Sequence, residues 1–262
     1  SDSTIAYAYL LTPKNVPLPA PTIIAMHQHG GTKYGAEEVV GNIGDSSLFY
    51  GKELAERGYV VFAMDSSSFG NRKDITEDSF EVQEKREAED LFTLGYSPLG
   101  IIIEEDLASL DFLVALEEIV DKNNIGCIGH SFGGTKCLYL SALDERVKVV
   151  VLSNSVGKFR ENLKSGATQT LLALLPGIAK YTGFNGILGL ISPRPLMIFY
   201  TERDPIYSVS DVEKIIPPLK ELYNKLGKEE NIQVIKIPGK AHEFPVEYHE
   251  QAYEFLDKNL KN

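Results

Sequence analysis

Short apolar runs alternate along the chain with segments in which apolar residues recur at helical spacing. The runs are rich in β-branched residues, a composition typical of strands that are buried on both faces of a sheet. We predict strands at residues 5–11, 22–26, 59–64, 125–128, 147–152, 196–200 and 232–237. The alternation predicts an α/β protein in which helices flank a mostly parallel central sheet.

The segments between the predicted strands indicate the helices and the domain organisation. Apolar residues at helical spacing predict helices at residues 103–114, 135–143, 212–226 and 246–260. Residues 163–190 are predicted to form a small helical insertion before the strand at 196–200, in the position of a lid. No internal repeat or low-complexity linker interrupts the pattern, so we expect residues 1–262 to form a single domain.

A glycine-rich turn between a predicted strand and a predicted helix carries the strongest chemical signal. Residues 129–134 read Gly-His-Ser-Phe-Gly-Gly, which fits the pattern G-x-S-x-G. Small residues allow a sharp strand-to-helix turn, and the turn exposes the serine hydroxyl beside a helix N-terminus. The alternative is an ordinary glycine-rich turn, but the strand and helix on either side favour Ser131 as a catalytic nucleophile.

A serine hydroxyl is a poor nucleophile unless a base takes its proton, and histidine is the usual base. In proteins that carry the catalytic serine on a G-x-S-x-G turn of this kind, an acid and then a histidine follow the serine in the chain. Only His242 and His249 lie downstream of Ser131. His242 follows the last predicted strand through a turn, whereas His249 falls within the terminal helix, where an exposed or packing role is the better interpretation. We therefore predict His242 as the base.

The acid that orients the histidine is expected in the loop after the strand at 196–200, because such loops gather at the catalytic edge of the sheet. This loop contains Glu202 and Asp204. Asp204 precedes a proline, which suits a stiff turn that fixes a carboxylate, so we predict Asp204 as the acid. Glu202 is the rival, and either carboxylate could instead pair with Arg203.

Two backbone N–H groups are needed to hold the negative oxygen of a tetrahedral intermediate. One comes from the residue after the nucleophile, Phe132, and the other from the loop after an early strand. That loop reads His-Gln-His-Gly-Gly at residues 27–31. We predict His29 as the second donor, with Gln28 and Gly30 as alternatives.

A metal site is a competing interpretation of the histidines in this region. His27 and His29 alternate as two ligands on a strand might, and His130 could be a third. No cysteine or acidic cluster at ligand spacing accompanies them, so packing around the loop is the better explanation. The chain also lacks the phosphate-loop and dinucleotide fingerprints. We expect no metal and no cofactor.

Charge and composition narrow the partners and the compartment. The chain has 26 Lys and Arg against 37 Asp and Glu, a net charge of −11, so we expect neither a nucleic acid nor a membrane as partner. No signal peptide is visible, although the absence of an initiator Met leaves room for an upstream segment that was removed. Cys127 and Cys137 suit buried free thiols, which favours the cytoplasm.

The chain resembles the α/β-hydrolase superfamily, and within it the bacterial dienelactone-hydrolase-like and acetyl-xylan-esterase-like carboxylesterases. Beyond the residues already discussed, the resemblance rests on residues 69–72, 101–113, 143–147 and 192–195. It covers most of the chain and implies the α/β-hydrolase fold. One departure matters, because dienelactone hydrolases proper use cysteine where this chain has Ser131. The resemblance therefore implies general ester cleavage rather than a dienelactone substrate.

The residues and the resemblance together predict a serine esterase that acts through an acyl-enzyme on a small-molecule ester. We expect residues 66–98 and 163–190 to shape the pockets, and we expect short acyl groups on a small or sugar-like alcohol. Two alternatives stay open. The same triad could serve an acyltransferase or an amide or thioester hydrolase, and the fold could belong to a non-catalytic binding protein.

Overall fold

The computed structural model describes residues 5–30, 33–73, 79–157 and 170–261. Within these ranges seven strands form one sheet in the order β1-β3-β2-β4-β5-β6-β7. The strands are β1 Ala8–Leu11, β2 Ala20–Met26, β3 Val60–Met64, β4 Val120–His130, β5 Val147–Ser153, β6 Leu196–Thr201 and β7 Ile232–Ile237. β1 pairs antiparallel with β3, and all other pairs are parallel. The predicted mostly parallel α/β sheet is confirmed.

Helices cover both faces of the sheet. In the described ranges the α-helices are α1 Ala36–Val39, α2 Tyr50–Glu56, α3 Phe80–Thr93, α4 Pro98–Ala115, α5 Phe132–Leu143, α6 Phe184–Gly189, α7 Val209–Lys225 and α8 His249–Leu260. Side chains of α4, α5, α6 and α7 pack in one hydrophobic core, and those of α1, α2 and α8 pack in the other. None of the helices in the described part of the chain is both long and apolar enough to cross a membrane.

The two cores follow from the period of a strand, in which successive side chains point to opposite faces. In β2, Ile24 and Met26 belong to the core under α4 and α5, whereas Ile23 and Ala25 belong to the core under α2 and α8. Both sets are buried, so the strand is apolar on both faces. This is why a continuous apolar run, rather than an alternating one, identified the strand in the sequence.

The predicted strands and helices all appear, with differences at their ends. β4 begins at Val120, five residues before the predicted start at residue 125, because its polar and partly exposed first half still pairs with β2 at Ala20. The terminal helix begins at His249 rather than at residue 246, since a 3-10 turn occupies Val246–Tyr248. The polar half of β4 lacks the apolar pattern on which the prediction depended.

The predicted insertion at residues 163–190 is described only from residue 170 onward, and residues 163–169 lie outside the described ranges. From residue 170 it contains 3-10 turns at Leu171–Ala173 and Ile178–Lys180, followed by α6. Residues 66–98, which are also predicted to shape the pockets, contain a 3-10 turn at Gly70–Arg72 and the whole of α3, and their residues 74–78 lie outside the described ranges.

Arg194 joins the segment before β6 to the end of α5. Its guanidinium donates to the carbonyl oxygens of Val147 at 2.6 Å, Ser141 at 2.5 Å and Asp144 at 3.0 Å. The last carbonyls of a helix have no partner within the helix. Arg194 supplies donors for this region, and in doing so it fixes β6 beside β5.

Candidate active site

Ser131 lies in a tight turn between the end of β4 and the start of α5. Its φ of 55° and ψ of −119° fall outside the regions that L residues normally adopt, a strain of about 1–3 kcal/mol. A Cβ on Gly133 would collide with the carbonyl of Met26, and a Cβ on Gly129 would collide with Gly133. The Ser131 N–H donates to the Ser153 carbonyl at 2.8 Å. These contacts hold the serine hydroxyl at the carboxyl edge of the sheet.

The structure brings Ser131, His242 and Asp204 into one hydrogen-bonded chain. The Ser131 Oγ lies 2.7 Å from His242 Nε2, and His242 Nδ1 lies 2.7 Å from Asp204 Oδ2. The Asp204 side chain is only 1% exposed. Its other oxygen accepts from the N–H groups of Ile206 at 2.7 Å and Tyr207 at 2.9 Å. The arrangement can move the serine proton to the imidazole, because the carboxylate fixes the ring and stabilises its charged form.

The two rival residues lie elsewhere. Glu202 is exposed, and its carboxylate accepts from the Gly239 N–H at 2.8 Å. His249 is buried and has Glu53 Oε2 2.8 Å from its Nδ1, on the face of the sheet that α2 and α8 cover. Neither side chain is hydrogen-bonded to Ser131 or His242.

Asn154, at the end of β5, connects the loops that carry the acid and the histidine. Its side-chain oxygen accepts from the Thr201 N–H at 2.9 Å, and its side-chain nitrogen donates to the Glu243 carbonyl at 2.6 Å. The backbone at Asn154 has a φ of 46°, in the left-handed region that asparagine tolerates better than most residues. Asn154 was not predicted from the sequence, although a polar residue directly after a buried strand is a recognisable signal.

Two aromatic rings pack against His242. The His130 ring centroid lies 4.9 Å away, and the Tyr207 ring stacks at 5.9 Å. Burial lowers the pKa of His130 well below its ordinary value, and the neighbouring His242 lowers it further. His130 therefore stays neutral beside the proposed base, with Nδ1 3.1 Å from the Ser153 hydroxyl.

The two predicted oxyanion donors face the same cavity. Phe132 is the first residue of α5, so its N–H has no carbonyl one turn earlier in the helix. The close contact of Gly133 with the end of β2 brings the loop at residues 27–30 beside it. A cavity of about 60 Å³ is lined by His29, Ser131, Phe132, Thr170, Ala173, Ile206 and Tyr207.

His27 is a buried hydrogen-bonding residue beneath this loop. Its Nδ1 donates to the Gln28 carbonyl at 2.9 Å, and its Nε2 accepts from the Ser66 N–H at 3.0 Å. Burial lowers the pKa of His27 well below its ordinary value. Both ring nitrogens are occupied, which leaves none for a metal. Across the ranges that the structure describes, no group of three or more His, Cys, Asp and Glu side chains could hold a metal ion.

Lys136, in the second turn of α5, forms a buried ion pair behind the site. Its ammonium donates to the Ser66 hydroxyl at 2.8 Å and lies 3.3 Å from Asp106 Oδ1. The side chains of Lys136 and Asp106 are 1% and 4% exposed. Burial raises the pKa of Asp106 to about 6, even though Lys136 opposes the shift. The pair links α4 and α5 to the strand end that contacts His27.

A second ionic group reaches the cavity through His29 and Thr170, and three of its four members were not predicted from the sequence. Glu84, on α3, lies 2.8 Å from His29 Nε2 and 3.2 Å from Lys33 Nζ, and it also accepts from the Thr170 hydroxyl. We refer to Glu84, His29, Lys33 and Thr170 as the Glu84 cluster. Burial alone would raise the pKa of Glu84, but hydrogen bonds from His29 and Thr170 and the charge of Lys33 lower it to about 2.

Comparison with known protein families agrees with the fold. A family model described as the alpha/beta hydrolase fold matches residues 29–184, more than half of the chain. The match begins in the loop after β2 and includes the serine turn. The chain therefore belongs to the α/β-hydrolase fold family.

Individual relatives are consistent with this family. YtaP of Bacillus subtilis strain 168 is 29% identical to this chain over an alignment of 262 residues, and its name gives a provisional assignment as a hydrolase. The alignment covers 97% of this chain and 84% of YtaP. A provisionally assigned acetyl xylan esterase of Bacteroides fragilis has a TM-score of 0.73 at 19% identity, covering 87% of this chain. This chain spans only 62% of that esterase's length.

A third relative is Est1E from Butyrivibrio proteoclasticus, whose structure contains bound ferulic acid. Its TM-score is 0.62 at 17% identity, over 97% of this chain and 93% of that chain. Identities this low establish a shared fold only. The findings together support a hydrolase of the α/β fold.

Proposed function

We propose that this protein is a serine esterase that cleaves small carboxylic esters through an acyl-enzyme intermediate. The observation that carries the proposal is the chain of two 2.7 Å hydrogen bonds from Ser131 through His242 to the buried Asp204. A hydroxyl, an imidazole and a carboxylate in this order form the arrangement that activates serine in acyl transfer.

In the proposed mechanism, His242 accepts the Ser131 proton as Oγ attacks the ester carbonyl. The N–H groups of His29 and Phe132 stabilise the resulting oxyanion. His242 then gives its proton to the departing alcohol, which leaves an acyl group on Ser131. In the second half, His242 deprotonates water, the hydroxide attacks the acyl carbonyl, and the returned proton restores the serine hydroxyl.

The cavity next to Ser131 favours short acyl groups. Its volume of about 60 Å³ is far below the roughly 300–1,000 Å³ typical of pockets for drug-sized ligands. An acetyl group fits such a space, whereas a long acyl chain would have to displace the side chains that line it. The name of the acetyl xylan esterase relative combines a short acyl group with a sugar polymer, and we propose a short acyl group on a small or sugar-like alcohol.

The proposal is tested with p-nitrophenyl esters of increasing acyl length, measured on the parent protein, Ser131→Ala and the surface control Ser210→Ala. We expect the parent and the control to hydrolyse the acetyl ester fastest, and Ser131→Ala to lose turnover while its melting temperature stays the same. Substantial activity in Ser131→Ala would refute the serine mechanism. No turnover by the parent on any ester would favour acyl transfer, amide cleavage or a binding role.

A further inference from the structure

We propose that Glu84 is a positioning residue, which holds the loop at residues 27–30 so that the His29 N–H points at the oxyanion. This inference rests on the proposed function and assigns a role to a residue outside the triad. Glu84 lies on α3, far from Ser131 in the chain, yet its carboxylate contacts the side chain of the residue proposed to supply an oxyanion donor.

Glu84 connects three separate segments at the wall of the cavity. One carboxylate oxygen contacts His29 and Lys33, which follow β2, and the other accepts from Thr170, which precedes the 3-10 turn at Leu171–Ala173. His29 and Thr170 both line the cavity beside Ser131. The hydrogen bonds of the Glu84 carboxylate therefore couple the position of α3 to the position of the loop.

The contacts of the Glu84 cluster place a proton on Nε2 of the His29 ring, because a carboxylate only accepts. Lys33 Nζ lies against the ring, 2.5 Å from Nε2 and 3.0 Å from Nδ1. Because Nε2 donates to Glu84, it cannot also accept from Lys33, so Nδ1 is the acceptor that satisfies all three groups. The ring also packs edge-on against Phe132, the other proposed donor, at 6.5 Å between centroids.

Burial strengthens the contribution of Glu84 to this arrangement. The side chains of Lys33 and Glu84 are only 2% and 10% exposed. An ammonium buried to this degree requires a counter-charge, and Glu84 is an ionic partner that contacts both Lys33 and His29. Removal of the carboxylate would leave Lys33 without this charge and His29 without the acceptor for its Nε2–H. The loop would then lose both of these contacts with α3.

The effect of a Glu84 substitution on kcat and on KM should distinguish a positioning role from a role in substrate binding. An oxyanion donor acts mainly in the transition state, so its displacement lowers kcat and leaves KM nearly unchanged. Loss of one donor lowers kcat by about 10²–10³-fold in known cases. Displacement of a donor that remains present should cost somewhat less, and we expect a loss of about 10–100-fold in Glu84→Gln.

The experiment compares the parent protein with Glu84→Gln and with Glu89→Gln, a matched control on the exposed side of α3, where the Glu89 carboxylate lies 3.6 Å from Lys85 Nζ. Kinetics on p-nitrophenyl acetate give kcat and KM. A trifluoromethyl ketone, which forms a tetrahedral oxyanion adduct with serine, reports the oxyanion site directly. We expect Glu84→Gln to weaken this inhibitor by about the same factor as it lowers kcat, and Glu89→Gln to change neither.

The double variant Glu84→Gln with Lys33→Met removes both buried charges and guards against simple misfolding. We expect it to restore the melting temperature without restoring kcat. Retention of kcat within threefold in either Glu84 variant, or a rise in KM at constant kcat, would overturn the inference. An inactive parent protein that also fails to bind the ketone would instead refute the proposed function itself.

Discussion

Acidification from pH 5.5 to pH 3 should remove part of the stability that Glu84 contributes. The pKa of Glu84 is about 2 in the folded protein, against an ordinary value of 4.5. The folded value is the lower one, so the stabilisation is complete above pH 4.5 and is lost as the pH falls toward 2. Linkage gives about 3 kcal/mol over the whole range, of which about 2 kcal/mol falls between pH 5.5 and pH 3.

Urea unfolding at pH 5.5 and pH 3 measures this loss if the parent protein is compared with Glu84→Gln. Every other carboxylate titrates in both proteins, so the difference between their pH dependences isolates Glu84. We expect the parent to lose about 2 kcal/mol more than Glu84→Gln over this interval, while Glu89→Gln should follow the parent. Equal losses, within about 0.5 kcal/mol, would show that His29 and Lys33 do not stabilise the Glu84 carboxylate in this way.

Three further substitutions test the site and its support. Asp204→Asn should lower kcat by about 10⁴-fold because the imidazole loses its orienting acceptor. Glu202→Gln should keep kcat within a few-fold of the parent, and a large loss in this variant would make Glu202, rather than Asp204, the acid that orients His242. Asn154→Ala should lower kcat by about tenfold or more and destabilise the protein by about 1–3 kcal/mol in urea, since buried groups of Thr201 and its neighbours lose partners. Arg194→Met should destabilise by about 2–4 kcal/mol, and an unchanged urea midpoint would contradict its role at the end of α5.

The sequence predicted the strands well because the central strands are buried on both faces. A continuous apolar run such as Ile23 to Met26 leaves few other interpretations once polar turns bound it. The polar beginning of β4 at Val120 escaped prediction because its pairing with Ala20 is a tertiary contact that no local pattern encodes.

Some residues of the candidate site could also be predicted from the sequence, and others could not. Ser131, Asp204 and His242 were indicated by residue type, chain order and position after strands, and the structure places them within hydrogen-bond distance. Glu84 lies in a strongly charged segment whose pattern resembles a solvated helix face. Its buried partner Lys33 comes from a distant loop, so neither residue could be recognised before the fold was known.

The separation of the triad along the chain affects how activity would return during refolding. His242 and Ser131 are 111 residues apart, and the histidine follows the strand at one edge of the sheet. Contacts between distant residues form late because loop closure costs entropy before the contact rewards it. The chain has no Trp whose fluorescence could report folding, so far-UV circular dichroism would follow the formation of helices in the earlier steps. Turnover should therefore return after most of the helix signal, and its lag would measure the time that β7 and the His242 loop take to join the rest of the sheet.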